Sequence, residues 1–169
     1  IRALVRGCGL SNDRGGSLLA PDTEGQTRAM LDAYTTAGVS PFDIDLFECH
    51  ATGTPLGDVV EFNSLNELHR IYAKSNAVQN SSNTKLEKSV IGSVKSNVGH
   101  LLTAAGATSV AKAIGALTEK TLPPTAHFEA GNPKIDLSNS LFEVLTKAKP
   151  WESDQGKSRK AAVSGFGFG

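Results

Sequence analysis

Apolar and polar residues alternate along the chain in blocks that predict strands and helices in turn. The apolar runs of strand length read IRALV, IDLFEC, SVIGSV, LFEVL and KAAVSGF. Three segments with apolar residues at helical spacing separate the first four runs: one ends at Gly38, one follows Pro55, and one covers 101–119. The order β-α-β-α-β-α-β-β predicts an α/β layered domain with a mostly parallel sheet covered on both faces.

Two helix starts and one unusual helix can be located within this order. The spacing of Thr23 and Gln26 matches a capping box, in which side chain and backbone satisfy each other's free N–H groups. Thr54-Pro55 fits a second start, because proline at the first helical position loses no needed hydrogen bond. The third helix is rich in alanine and glycine, and each interior glycine costs about 1 kcal/mol relative to alanine. We expect other backbone to pack closely against it, the alternative being a loosely tolerated glycine pair.

Composition narrows the class of protein. Of 169 residues, 39% are hydrophobic, so a packed core is feasible, and 17 basic residues balance 17 acidic ones. This balance gives no electrostatic footprint for nucleic acid or an anionic membrane surface. No secretory signal or membrane-spanning run is visible, and two cysteines are too few for a disulfide framework, so we expect a cytoplasmic setting. The chain starts inside an apolar run and stops at a glycine turn, which indicates a piece of a longer polypeptide.

Two polar motifs carry the candidate chemistry. ECHATGTPLGD (48–58) places His50 just past one strand, and GSVKSNVGHLLTAAGA (92–107) places Lys95 and His100 just past the next. The carboxyl ends of parallel strands are where ligands collect in such sheets. The two imidazoles and the ammonium group could therefore converge on one pocket, or each histidine could merely cap a turn.

Other reactive residues are better explained by structural roles. Adjacent strand residues point to opposite faces, so His50 cannot activate Cys49, and we expect both Cys49 and Cys8 to be buried structural residues. His69 lies near charged residues on a helix and is predicted to be solvated, whereas His127 is predicted to be structural. The histidines lack metal-ligand spacing, so no metal site is predicted.

The motifs ECHATGTPLGD, GSVKSNVGHLLTAAGA and AAVSGFGFG together resemble the C-terminal half of a β-ketoacyl synthase. LLAPDTEGQ and KTLPPTAHF are most similar to ketosynthase domains of polyketide synthases, including those that make polyunsaturated fatty acids. The resemblance implies a thiolase-like fold with a mixed sheet, in which helix 101–119 is the buried central helix. It also implies that residues 1–169 form one C-terminal half-domain, truncated at both ends.

The resemblance implies a decarboxylative Claisen condensation between an acyl thioester and a malonyl-type extender on acyl carrier protein. His50 and His100 would donate Nε2–H hydrogen bonds to the extender's thioester oxygen, and Lys95 would orient His100. Thr52 and Thr54 would contact the phosphopantetheine arm that carries the substrates, and no other cofactor is implied. Phe168 would lie in the glycine-rich loop that gates the pocket. Ala51 stands where many relatives carry glycine, a variant we do not expect to disturb the site.

The implied partners are acyl carrier protein, the N-terminal half of the ketosynthase and a second copy in a homodimer. The family's nucleophilic cysteine lies in that N-terminal half, so we do not expect this chain to condense anything alone. A non-catalytic interaction or chain-length subunit is one alternative, although such a subunit would be free to lose the two histidines and the lysine. A non-decarboxylating thiolase relative is another, and the pair of histidine motifs favours the decarboxylating type.

Overall fold

The computed structural model describes residues 1–12, 21–76, 88–153 and 157–167, with the side chain of residue 76 left aside. The helices in these ranges are α1 (Thr23–Ala37), α2 (Gly57–Asn76), α3 (Lys95–Val98) and α4 (Ala105–Glu119). The strands are β1 (Leu46–Glu48), β2 (Ser89–Gly92), β3 (Thr121–Leu122), β4 (Phe142–Glu143), β5 (Lys149–Pro150) and β6 (Ala161–Val163). Short 3-10 turns cover Pro41–Asp43 and Leu102–Ala104.

Four strands form a parallel sheet in the order β4-β2-β1-β6. Leu46 of β1 lies opposite Val90 of β2 on one side and Ala161 of β6 on the other. Strands β3 and β5 form a separate antiparallel ribbon. The predicted α/β domain with a mainly parallel sheet is therefore confirmed, and among the described residues antiparallel pairing occurs only in the ribbon.

The sheet is covered by helices on both faces, as buried parallel strands require. Neighbouring residues of β1 point in opposite directions, so Phe47 packs under α1 and α2 while Leu46 packs towards α4. The first core contains Tyr34, Ile44, Phe47, Cys49, Phe62, Leu65, Leu68 and Phe142. The second contains Leu46, Val90, Ala116, Leu122 and Trp151. The site segments leave the sheet between these two layers.

Two local predictions are wrong, and some short elements were not predicted. The run IRALV forms no strand: Leu4 and Val5 are 73% and 87% exposed, and no strand in the described ranges pairs with them. Helix α1 is capped by Asp22, whose Oδ1 accepts the Glu24 N–H at 3.1 Å, so Thr23 is already inside the helix. The two-residue strands of the β3–β5 ribbon and the single turn of α3 are too short to show a period from which they could be predicted.

Helix α4 packs on the sheet with one face only. Its buried residues are Ala105, Ser109, Ala113 and Ala116, whereas Val110 on the other face is 41% exposed. A Cβ placed on Gly106 or Gly115 would meet no atom within 4 Å in the described part of the chain. The expected close approach of other backbone is seen at Gly106 only: a Cβ placed on Gly165 would lie 3.9 Å from Gly106 Cα, and no such contact is found at Gly115 within the described residues. Among the described helices there is no candidate for a membrane span.

Candidate active site

Three parallel strands deliver the candidate residues to one edge of the sheet. His50 follows β1, Lys95 and His100 follow β2, and Phe166 follows β6. Because these strands are neighbours in the sheet, the segments that leave them meet. The His50 ring centroid lies 5.1 Å from that of His100 and 4.7 Å from that of Phe166. Of the two hypotheses for the histidines, the structure supports the one in which both imidazoles meet at one site.

Backbone hydrogen bonds fix which nitrogen carries the proton in each ring. The Phe166 N–H donates to His50 Nδ1 at 3.3 Å, and the Leu102 N–H donates to His100 Nδ1 at 3.0 Å. A nitrogen that accepts a hydrogen bond carries no proton, so the proton of each ring lies on Nε2. His100 therefore caps its turn through one nitrogen and keeps the other as a donor. The site holds two imidazole donors side by side.

The surroundings of His50 keep its ring neutral. Burial is the main cause that lowers the pKa of His50 to about 4, and electrostatic interaction with Lys95 and with the neighbouring His100 ring adds to it. At pH 7 the ring is uncharged and can donate from Nε2 without presenting a net charge. The charge of Lys95, at the start of α3, therefore contributes to the lowered pKa of His50.

Glu61, which the sequence did not identify, anchors the turn that contains His50. One carboxylate oxygen accepts the His50 backbone N–H and the other accepts the Ala51 backbone N–H, each at 2.8 Å. The side chain is buried on the first turns of α2, and burial raises its pKa to about 7 although both backbone bonds oppose that rise. Ala51 has φ 23°, a conformation that favours glycine, so Glu61 holds a strained residue in place.

The two threonines lie on the exposed turn between β1 and α2. The Thr52 hydroxyl donates to Thr54 Oγ1 at 3.4 Å, and Thr54 Oγ1 accepts the Gly57 N–H at 3.2 Å, which caps α2. Gly53 has φ 76°, and its N–H donates to an Asp58 carboxylate oxygen at 3.2 Å. The hydroxyls thus border the same turn as His50. The gating residue expected at Phe168 lies outside the described residues.

Comparison with known proteins assigns this arrangement to a family. Residues 2–129 match the family described as "Beta-ketoacyl synthase, C-terminal domain". The chain belongs to this β-ketoacyl synthase family. The resemblance inferred from the three motifs is therefore confirmed.

The relatives are polyketide synthases and their ketosynthase domains. The whole chain is 37% identical to a phenolphthiocerol/phthiocerol polyketide synthase of Mycobacterium tuberculosis, of which it spans 11%. It is 37% identical to prosolanapyrone synthase of Alternaria solani, of which it spans 6%. The ketosynthase from module 1 of the bacillaene synthase of Bacillus amyloliquefaciens FZB42 superimposes with a TM-score of 0.87 at 32% identity, over 100% of this chain and 30% of that one. The thiolase-like fold is confirmed, and the chain covers a small part of its longer relatives.

Two of the remaining expectations for this ketosynthase domain are wrong. His69 is 4% exposed: it lies four residues after Leu65 on the buried face of α2, and its Nδ1 is 2.8 Å from the Leu65 carbonyl oxygen. Its ring packs among Phe42, Phe47 and Phe142. Cys8 is exposed, not buried.

Of the remaining expectations, the structure confirms the burial of Cys49, whereas the structural role of His127 and the lack of a metal site stay predictions. Cys49 is buried, and burial raises the pKa of its thiol well above the ordinary value, which leaves it unreactive. The described residues contain no group of three or more potential metal ligands. His127 is exposed on an irregular segment with φ 56°.

Proposed function

We propose that this chain is the C-terminal half of a polyketide-synthase ketosynthase that catalyses decarboxylative Claisen condensation. An acyl thioester on a cysteine would react with a malonyl-type extender carried by the phosphopantetheine of acyl carrier protein. The observation that carries the proposal is the pair of adjacent imidazoles, each with Nδ1 occupied by a backbone N–H. The names of the relatives favour the polyketide type over the fatty acid type.

The two Nε2–H groups suit the charge that develops in this reaction. The bond between the extender's α-carbon and its carboxylate breaks, carbon dioxide leaves, and the electron pair moves into the thioester carbonyl to form an enolate. Two preorganised donors on that oxygen stabilise the enolate more than the starting carbonyl. The enolate carbon then attacks the acyl thioester carbonyl carbon, and the cysteine thiolate leaves. A neutral His50 suits this donor role, and Lys95 would supply positive potential beside the developing negative charge.

The arm of the carrier protein would enter past the turn between β1 and α2. Thr52 and Thr54 are exposed there, and their hydroxyls can pair with the amides of the arm. Gly53 adds no side chain at the tip of the turn, so the arm can approach the backbone. Phe168 follows Phe166, which packs on His50, and it would contribute to the gate.

The acyl-carrying cysteine would come from the N-terminal half of the enzyme, which would also cover the open face of this chain. Cys49 is unsuited to that role because it is buried with a raised pKa. Large apolar side chains are exposed around the site and on α4, including Leu102 at 68% and Val98 at 48%. Patches of this kind mark surfaces that are covered by a partner. The complete ketosynthase would then form a homodimer, and the isolated chain would be inactive.

The experiment compares histidine variants of the full-length polypeptide that carries this chain. His50→Ala and His100→Ala should each slow carbon dioxide release from malonyl-loaded carrier protein by roughly a hundredfold to a thousandfold, the loss of about 2.7–4 kcal/mol typical of one oxyanion donor. Transfer of a labelled acyl group to the cysteine should survive better, because that step does not hold an enolate.

His127→Asn is the matched control, because His127 is exposed and asparagine tolerates its left-handed backbone. This variant should release carbon dioxide at the parent rate. If both alanine variants also condense at the parent rate, the assignment of the two motifs to the active site is wrong. A parent enzyme that neither decarboxylates nor condenses would instead favour the non-catalytic alternative.

A further inference from the structure

Glu48 is a buried carboxylate that the proposed chemistry does not use. It ends β1, and its side chain is 0% exposed. A buried carboxylate is unfavourable unless it is paired and hydrogen-bonded. Lys112 of α4 supplies the pairing charge, with Nζ 2.7 Å from Glu48 Oε2. The Val94 backbone N–H supplies the hydrogen bond, at 2.5 Å from Oε1.

The contacts of Glu48 lead to each part of the candidate active site. Val94 directly precedes Lys95, on the segment that leads from β2 to His100. The Glu48 carbonyl oxygen accepts the Ser164 N–H at 2.9 Å, two residues before Phe166. His50 itself follows Glu48 by two residues. One residue thus joins the three segments that carry the two imidazoles and the N–H group that binds His50.

The side chain of Lys112 is largely buried beside the Glu48 carboxylate. The Lys112 side chain is only 13% exposed, although lysine usually extends into water. Gly92 of β2 leaves room: a Cβ there would lie 2.7 Å from Thr125 Oγ1 and 3.8 Å from Lys112 Nζ. A Cβ on Gly92 would thus clash with Thr125, whereas it would meet Lys112 Nζ only at an ordinary contact distance, so Gly92 borders the ion pair.

We propose that the Glu48–Lys112 ion pair is a positioning element that sets the separation of the His50 and His100 imidazoles. The inference rests on the proposed function, in which both Nε2–H groups must reach one thioester oxygen. Neither residue would touch the substrate. The carboxylate holds the β2 turn against β1 through Val94, and Lys112 holds the carboxylate in that conformation. Positioning predicts a selective loss in the step that uses both imidazoles, whereas a purely structural role predicts equal losses in every step.

The test uses the full-length ketosynthase with Glu48→Gln, Lys112→Met and the double variant. Glutamine keeps an oxygen for the Val94 N–H but loses the attraction to Lys112. A single change leaves an unpaired charge in the core and can unfold the protein, whereas the double variant removes both charges. Glu143→Gln with Lys149→Met is the matched control, because that pair is 3.8 Å apart with side chains 36% and 54% exposed.

The double variant is expected to keep the parent Tm and to release carbon dioxide about tenfold to a hundredfold more slowly, since a misplacement of about 1 Å can cost that much. Acyl transfer to the cysteine is expected to change by less than about threefold, because it does not need both imidazoles. The imidazole NMR signals of His50 and His100, assigned with their alanine variants, should shift, and those of exposed His127 should not.

Parent rates together with unchanged imidazole signals in a folded double variant would overturn the inference. Unfolding of the double variant would also overturn it, because the pair would then serve the fold and not the spacing of the rings. Failure of the parent enzyme to decarboxylate would refute the proposed function, and the NMR measurement would still decide whether the ion pair positions the two rings.

Discussion

Replacing Glu61 with glutamine tests whether a buried acid holds the His50 turn. The carboxylate accepts two backbone N–H groups, those of His50 and Ala51, each at 2.8 Å. Glutamine offers one oxygen and one NH2 group, so one of the two N–H groups would face another donor. Ala51 has φ 23°, an unfavourable conformation that would relax once its N–H loses the hydrogen bond to Glu61. We expect the turn to relax and to move His50.

The size of the effect follows from the bond that is lost. A hydrogen bond to a charged group contributes about 1.5–3 kcal/mol. If the loss falls mainly on the geometry of His50, decarboxylation should slow by about tenfold to a hundredfold, at about 1.36 kcal/mol for each factor of ten. The fold should survive, because the turn is partly exposed and water can reach the freed N–H group.

The pH dependence separates Glu61 from the histidine it holds. Burial raises the pKa of Glu61 to about 7, so its carboxylate form decreases as the pH falls below 7. The pKa of His50 is lowered to about 4, so that ring stays neutral over the same range. The parent rate of carbon dioxide release should therefore decline from about pH 7 downwards because Glu61 becomes protonated. Glu61→Gln should be slow at pH 8 and lack this decline.

The assay is carbon dioxide release from malonyl-loaded carrier protein by the full-length ketosynthase between pH 5.5 and 8.5, about 1.5 pH units on either side of that pKa. Glu67→Gln is the matched control, since it makes the same change on the same helix in an exposed pair with Arg70. It should keep both the parent rate and the decline. An unchanged acidic decline in Glu61→Gln would refute the assignment of that titration to Glu61.

Three further predictions concern residues around the site. His69→Ala should lower the free energy of unfolding by about 2–4 kcal/mol, seen as a lower calorimetric Tm, because its ring is 4% exposed. Burial lowers the pKa of His69, so its contribution is complete above its ordinary value of 6.5 and is lost as the pH falls; the variant's Tm should vary less with pH there. Asn132→Ala removes a side-chain N–H hydrogen bond to the Pro55 carbonyl oxygen at 3.1 Å, on the turn proposed to contact the phosphopantetheine arm. It should raise KM for the carrier-bound extender and leave kcat unchanged, and a fall in kcat alone would contradict it. Gly92→Ala should lower Tm, because its Cβ would lie 2.7 Å from Thr125 Oγ1, and an unchanged Tm would show that Thr125 moves freely.

The predictable part of the fold is the part with a repeating pattern. The runs that contain β1 and β2 are mostly apolar because both faces of the parallel sheet are covered, and the strand prediction is correct for both. The β3–β5 ribbon has two residues in each strand, too few to show alternation. The run IRALV has strand composition but no partner in the described ranges, and a strand exists only through its pairing.

The candidate active site likewise contains residues that the sequence pointed to and residues that it missed. The rule that ligands collect at parallel strand ends gave the meeting of His50 and His100 as one of two hypotheses, and the rings do lie side by side. Glu61 was missed because its partners are backbone N–H groups, which any residue can supply, so no pairing of residue types marks them. His69 was misjudged because its charged neighbours in the chain were weighed more than its helical face. The spacing of four residues from Leu65 already placed it on the buried side of α2.

Backbone N–H groups hold both imidazoles, so the position of each ring depends on the backbone segment that carries its donor. Side-chain partners on Nδ1 would tie each ring to a residue that could adopt another rotamer. Here Phe166 and Leu102 donate their N–H groups, so the rings follow the turns that carry those amides. The turns in turn depend on buried acids: Glu61 binds the segment after β1, and Glu48 binds the segment after β2. The separation of the two Nε2–H donors is therefore set by two carboxylates that would never contact the substrate, and changes at either should act on the enolate-forming step before they act on binding of the arm.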